Sequence, residues 1–253
     1  PRPAPFVCFP RPVWWPRCGI RRSSSTDPRI GRYLACMTPA ELLHEVRHLG
    51  VAHGLAAVGV APALPLTRAR VALETRKAAG LHDGMQFTYK NPERSTDPQR
   101  AVAGARSVIV GALDYLREPP SPPVAASARV ARYAWSDNYA PLRRALGEIV
   151  GLLRNEGFRA VAYADDNTVV DREVAYRAGL GWFGKNANIL LPGRGSWYVL
   201  GCVITDAELP ESAGPVSDGC GPCRRDRCGG SRRVPPIPSA SRRPPRGSRG
   251  PTA

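Results

Sequence analysis

Three groups of residues in this chain have types and spacing that could carry chemistry. The run GLGWFGKN places Gly179, Gly181 and Gly184 at the G-x-G-x-x-G spacing of phosphate-cradling loops, with Asp206 at about the distance of a ribose-binding acid. A dinucleotide site needs a strand, then the glycines, then a helix. Here a helical stretch precedes the glycines and a strand follows, so that reading fails. A P-loop fails too: two residues, not four, separate Gly181 from Gly184, and Asn186 stands where Ser or Thr is required. Closely spaced glycines also let a backbone pass near a large flat object without Cβ clashes, and a plain Gly-rich turn stays open beside that use. Asp165 and Asp166 end a strand-like stretch, where a side chain reaches into a pocket or is simply solvated. Cys220 and Cys223 form a C-G-P-C pair. They stand out among seven cysteines whose odd number and irregular spacing argue against a disulfide framework.

The elements that must position these residues read as follows. Thr38-Pro39-Ala40-Glu41 is a capping box that opens a helix running to about Leu49, with Gly50 as its stop. HGLAAVGVAPA reads as a short buried strand, and LTRARVALETRKAAG as an amphipathic helix closed by Gly80. LHDGMQFTYKNPERSTDPQ is dense in turn residues and reads as a loop. RSVIVGALDYL is a continuous apolar run, the pattern of a central strand. REPPSPPVAASA reads as a surface excursion. The helix YAPLRRALGEIVGLLRNEG follows, with Leu142, Leu146, Ile149, Leu152 and Leu153 on one face. FRAVAYADD is a strand, DREVAYRAG a short helix, and ANILL and GSWYVLGCVITD two further strands. The alternation predicts one α/β or α+β domain over about 37–215 with a short segment after it.

The formal charge of +15 suggests a nucleic-acid protein until it is located. Residues 1–36 hold seven Arg and one Asp, and residues 224–253 nine Arg and one Asp, so 37–223 is nearly neutral. The head, 1–36, shows no period of 2 or 3.6 and reads as unstructured. The tail, 231–253, is Arg, Pro, Gly and Ser with little to bury and reads as disordered. Both read as flanking sequence, extra or frame-shifted, sooner than as basic arms gripping RNA. Pro10, Pro12 and Pro16 break the head's apolar stretch, so it lacks a secretory core, and no run nears eighteen apolar residues.

Residues 164–210 carry D-R-x-x-A-x-x-A-G-L-G-W-x-G-K-N as Asp171-Arg172, Ala175, Ala178 to Trp182 and Gly184-Lys185-Asn186. Gly195-Ser196-Trp197 and Leu200-Gly201 follow. Upstream stand PERSTDP, SVIVGALDY and ARYAWSDNYA. In this order the motifs resemble those of epoxyqueuosine reductases over about residues 40–225. The resemblance implies a single mixed-sheet cobalamin-binding domain with helices packed on the sheet, followed over 216–230 by a ferredoxin-type segment. It also implies removal of the epoxide oxygen of epoxyqueuosine in tRNA, with cobalamin and two [4Fe-4S] clusters, in a cytoplasmic, monomeric enzyme. By position, Asp165 is the expected proton donor. A carboxylic acid serves at neutral pH only where a partly desolvated pocket, such as one walled by a corrin face, raises its pKa. Arg94, Ala131, Ile189 and Leu200 are the expected cofactor contacts, the last three through backbone groups. Asp166 is expected on the opposite side of the strand end, as a cap.

The sequence departs from the family pattern at Ser136 for Gly, Asn138 for Asp, Ala140 for His and Cys202 for Glu. In the ferredoxin-type run, Cys220 and Cys223 are in register as cluster ligands. Asp226 and Gly230 stand where the third and fourth cysteines belong, and Cys228 is out of register. The chain is therefore expected to be truncated or mis-read from about Asp226 and to hold neither cluster. Two competing readings are a related cobalamin enzyme (reductive dehalogenase-like or cobalamin-processing) and a non-catalytic RNA-binding protein. The string GLGWFGKN…GSW disfavours the first, and the near-neutral 37–223 the second.

Overall fold

A computed structural model describes residues 37–118 and 130–222. The two basic ends, most of the proline-rich excursion, Cys223 and Cys228 lie outside the described residues.

Helix α1 (Pro39–Ala52) begins on the expected capping box: the Thr38 hydroxyl accepts from the Glu41 N–H, and the Glu41 carboxylate accepts from the Thr38 N–H. It does not stop at Gly50. That residue is buried where a Cβ would lie 2.6 Å from Val58, so its smallness serves helix–strand contact, and the chain turns at Gly54 instead. Strand β1 (Ala57–Pro62) and helix α2 (Thr67–Ala78) follow. The stretch read as a loop contains three one-turn helices, α3 (Phe87–Lys90), α4 (Pro92–Ser95) and α5 (Pro98–Ala101). Asn91 and Asp97 cap the last two, each with Pro at the first helical position. The turn-rich composition was thus a series of helix starts.

Strand β2 (Ser107–Asp114), a 3₁₀ turn at Arg132–Ala134, helix α6 (Tyr139–Asn155), strand β3 (Ala160–Ala164) and helix α7 (Asp171–Arg177) come next. A small hairpin of β4 (Trp182–Phe183) and β5 (Ile189–Leu190) leads into β6 (Tyr198–Thr205). The main sheet has the order β1-β2-β6-β3, so the last strand is central. Helices pack on both faces, as an α+β domain requires. All three strand pairs are antiparallel, so the sheet is antiparallel where a mixed one was expected. The uninterrupted apolar run of β2 comes from cover on both faces, not from parallel pairing.

Alternation sorts the strands cleanly. Ile109, Leu113, Val199 and Val203 point to a core shared with α1 and α6, where Leu142, Leu146, Ile149 and Leu153 are fully buried. Val108, Val110, Cys202 and Ile204 point to a second core shared with α7 and the hairpin. This two-sided sheet leaves one rim, where β2 and β3 end and β6, α6 and α7 begin, to carry polar and aromatic groups.

Candidate active site at the strand ends

Asp165 directly follows β3 with φ +55°, a left-handed conformation uncommon for a residue with a Cβ and tolerated best by Asp and Asn. Such a turn at a strand end throws the side chain out of the sheet plane, and backbone of this kind concentrates at functional sites. The 165–167 loop separates two clefts. One, of about 360 Å³, is lined by Arg143, Leu146, Ala162, Tyr163, Ala164, Asp165 and Asp166. The other, of about 300 Å³, is lined by Phe87, Lys90, Asn91, Arg94, Ser95 and Asn167. Asp166 therefore shares the Asp165 cleft and does not face away from it. Its carboxylate is turned back to accept the Thr168 N–H at 2.7 Å, which is the capping role expected of it.

Around Asp165 the rim gathers groups from four elements. The Tyr139 hydroxyl, at the start of α6, is pushed up first by burial and then by the nearby carboxylates of Asp165 and Asp171, with Tyr115 and Tyr133 adding to it. The Asp171 carboxyl, at the start of α7, is also raised: burial dominates and Asp165 contributes. The Arg172 backbone N–H, which it accepts at 2.7 Å, and the Arg172 charge oppose the rise. Arg132 lies over both Trp135 (5.3 Å) and Trp197 (5.2 Å), and Tyr115 meets Trp197 edge-on. Of these rim aromatics, sequence reasoning singled out none. The signal was available in ARYAWSDNYA and GSWY, which place aromatics just before or at the start of α6 and β6.

The described part of the chain matches the family model described as epoxyqueuosine reductase QueG, DUF1730, over residues 95–166, the stretch from α4 through β3 to the Asp165 loop. The epoxyqueuosine reductase of Synechococcus sp. (strain RCC307) is 32% identical over 194 residues, 74% of this chain and 59% of the relative. A solved epoxyqueuosine reductase with a tRNA-Tyr epoxyqueuosine-modified stem loop superposes with a TM-score of 0.66 at 25% identity, covering 74% of this chain and 50% of that one. The Bacillus subtilis enzyme, in a structure with its aspartate-bearing catalytic loop swung out of the active site, superposes at 0.63 with 25% identity, covering 74% and 50%. This chain resembles epoxyqueuosine reductases over about three quarters of its length. It spans about half the length of the family members it matches.

The places where this chain departs from the pattern of epoxyqueuosine reductases have local explanations. Asn138 is buried, and its amide donates to the carbonyls of Tyr133 and Ser136 while its oxygen accepts from the Ser136 hydroxyl. An aspartate could not donate to those two carbonyls. Asp137 has taken over the start of α6, accepting the N–H groups of both Tyr139 and Ala140. Cys202 sits at zero exposure opposite Val110 and Tyr163, its thiol pushed far up by burial, with Asp171 and Asp166 adding to the rise. A neutral small group in the core stands where the family has a carboxylate.

The expected cofactor contacts separate into three kinds. Arg94 is exposed in the second cleft, close enough to Tyr163 to oppose the upward shift that burial and Asp166 impose on its hydroxyl. Leu200 is half-buried on the α7 side of β6, and Ala131 is exposed just before the 3₁₀ turn. Ile189 is 4% exposed and its side chain packs in the core, on a strand paired with β4. Two observations bear on whether a corrin suits this rim. The Tyr198 hydroxyl is buried without a partner and pushed up to about 12, first by burial and then by Asp114. Val130, Tyr133, Trp135 and Leu116 leave apolar surface exposed. An apolar-faced group with a polar fringe fits both.

The glycine run does something else. A Cβ on Gly181 would meet the Leu190 carbonyl at 2.1 Å, and one on Gly179 the Gly214 carbonyl at 2.2 Å. These glycines allow one stretch of backbone to approach another closely. Among the described residues no three His, Cys, Asp or Glu side chains group as metal ligands, so no step is assigned to a cluster. None of the described helices is long and apolar enough to cross a membrane.

Proposed function

We propose that this chain forms the cobalamin-binding catalytic part of an epoxyqueuosine reductase, acting on tRNA in the cytoplasm with Asp165 as proton donor. The observation that carries the reading is Asp165 in left-handed backbone at the end of β3, in a cleft beside Tyr139 and Asp171. Arg94, Leu200 and the backbone near Ala131 and Ile189 would hold the cofactor, which when bound supplies electrons to the epoxide carbon. Asp165 delivers a proton to the departing epoxide oxygen. Arg143, lining the same cleft, offers a cation to an incoming nucleotide phosphate.

The test is a contrast within one loop. In a chimera carrying a relative's ferredoxin-type segment, Asp165→Asn should leave cobalamin binding nearly intact. Turnover of epoxyqueuosine should fall by about 10²–10⁴-fold, the usual worth of a positioned general acid. Asp166→Asn should lower turnover by less than tenfold, because its carboxylate is engaged with the Thr168 N–H. Equal losses at the two positions would replace proton donation by a general effect of charge or loop folding.

A further inference from the structure

The GLGWFGK run is unexplained by the chemistry at Asp165, and its contacts run elsewhere. After β6 the chain doubles back along β1: the Ser212 hydroxyl accepts the Val60 N–H at 2.9 Å, and the Ser212 N–H donates to the Val60 carbonyl. It then crosses Gly179 at Gly214 and reaches the β4–β5 hairpin. There Trp182 packs on Gly219 so closely that a Cβ would lie 2.7 Å from its ring, and its indole N–H points at the Cys220 sulfur at 3.4 Å. The Lys185 ammonium donates to the Gly221 carbonyl at 2.8 Å, and Asp218 accepts the Cys220 N–H at 2.8 Å. Cys220 is buried as a result. The other end of the hairpin is tied to the active-site rim, because Arg172 donates to the Ala187 carbonyl at 3.4 Å beside Asp171.

We propose that the β4–β5 hairpin is a clamp, with Trp182 and Lys185 as positioning residues that hold the Cys220–Gly221 turn at a fixed place relative to the Asp165 rim. The glycines serve this directly. Gly181 lets β4 close on Leu190, and Gly179 lets the returning chain pass underneath. Three kinds of contact converge on one short turn: ring packing, an N–H···S bond and an ammonium–carbonyl bond. The turn is thereby held by the domain itself. The inference rests on the proposed function only for the clamp's purpose, which is to present the first cysteine of an electron-relay segment to the reacting site. The clamp itself stands apart from it.

The test uses two thiols in one molecule. The full chain is treated with iodoacetamide and alkylation is followed at Cys220 and Cys202 separately by peptide mass spectrometry. Cys202, at zero exposure in the sheet, reports global opening, and Cys220 reports the turn. In the wild-type chain both should react slowly compared with the urea-unfolded chain. Trp182→Ala should speed Cys220 about tenfold or more, and Trp182→Phe and Lys185→Met roughly fivefold each, with Cys202 unchanged. Lys185→Arg, which keeps a cationic donor, should hold the wild-type rate. If Trp182→Ala unfolds the domain, both thiols will speed up together and the Phe and Met variants decide. The clamp is refuted if wild-type Cys220 reacts at the unfolded rate, or if those variants change both thiols in step or neither. No cobalamin enters the measurement, so failed cobalamin binding and a failed clamp are separate outcomes.

Discussion

Beneath α6 the sheet is sealed by Leu142, Leu146, Ile149 and Leu153, all at zero exposure, with Gly111 and Gly201 letting Leu146 approach the strands. At the ends of the same strands, Tyr115, Tyr139, Asp165 and Asp171 crowd together, one hydroxyl of Tyr198 has no partner, and Tyr133 and Trp135 face water. One region has every group satisfied. The other keeps carboxylates near each other and polar atoms unpaired, which costs stability unless another molecule completes it. The contrast marks the rim as the candidate site, and substitutions on the two sides test it.

The largest stability effect should come from the sealed side. Leu146→Ala leaves a cavity over the two glycines and should lower unfolding free energy by about 2–5 kcal/mol, measured by urea denaturation. A smaller effect of opposite sign should come from the rim. Asp171→Asn removes a carboxyl whose folded-state pKa lies above its ordinary value of 3.8. A raised carboxyl favours folding while it is protonated, and that contribution disappears as pH rises through the folded pKa. The variant should therefore be more stable than wild type at pH 7, with the gap narrowing as pH falls through the raised folded-state pKa and closed once pH is below the ordinary value of 3.8. A variant no more stable at pH 7 would mean that the Arg172 contacts outweigh the burial. The smallest effect belongs to Tyr133→Ala. This side chain is 56% exposed, so stability should shift by no more than about 0.5 kcal/mol. A larger loss would show that the rim is ordinary core and undo the comparison.

Much of this division was legible in the chain. The leucine spacing of α6 and the β-branched run of β2 encode their burial directly, because period and side-chain volume decide which face is covered. The end of a strand before Asp165 was also legible, and β3 stops at Ala164. Four features escaped. Antiparallel pairing was hidden because a strand covered on both faces reads alike in either kind of sheet. The helical turns after α2 were masked by the residues that cap them, which are also loop residues. The purpose of Gly179 and Gly181 lay in contacts with Gly214 and Leu190, whose approach no local pattern announces. Asp166 was misplaced because alternation holds only within a strand, and the left-handed turn at Asp165 ends it.

If the strand-end rim takes a corrin, a visible-absorption titration will show it. Cobalamin added to the full chain should show a saturable change to the base-off spectrum, and Leu200→Asp, which sets a charge on the α7 side of β6 next to Tyr198, should weaken it at least tenfold. An unchanged cobalamin spectrum at large protein excess, from a chain that is folded by circular dichroism, would contradict the account.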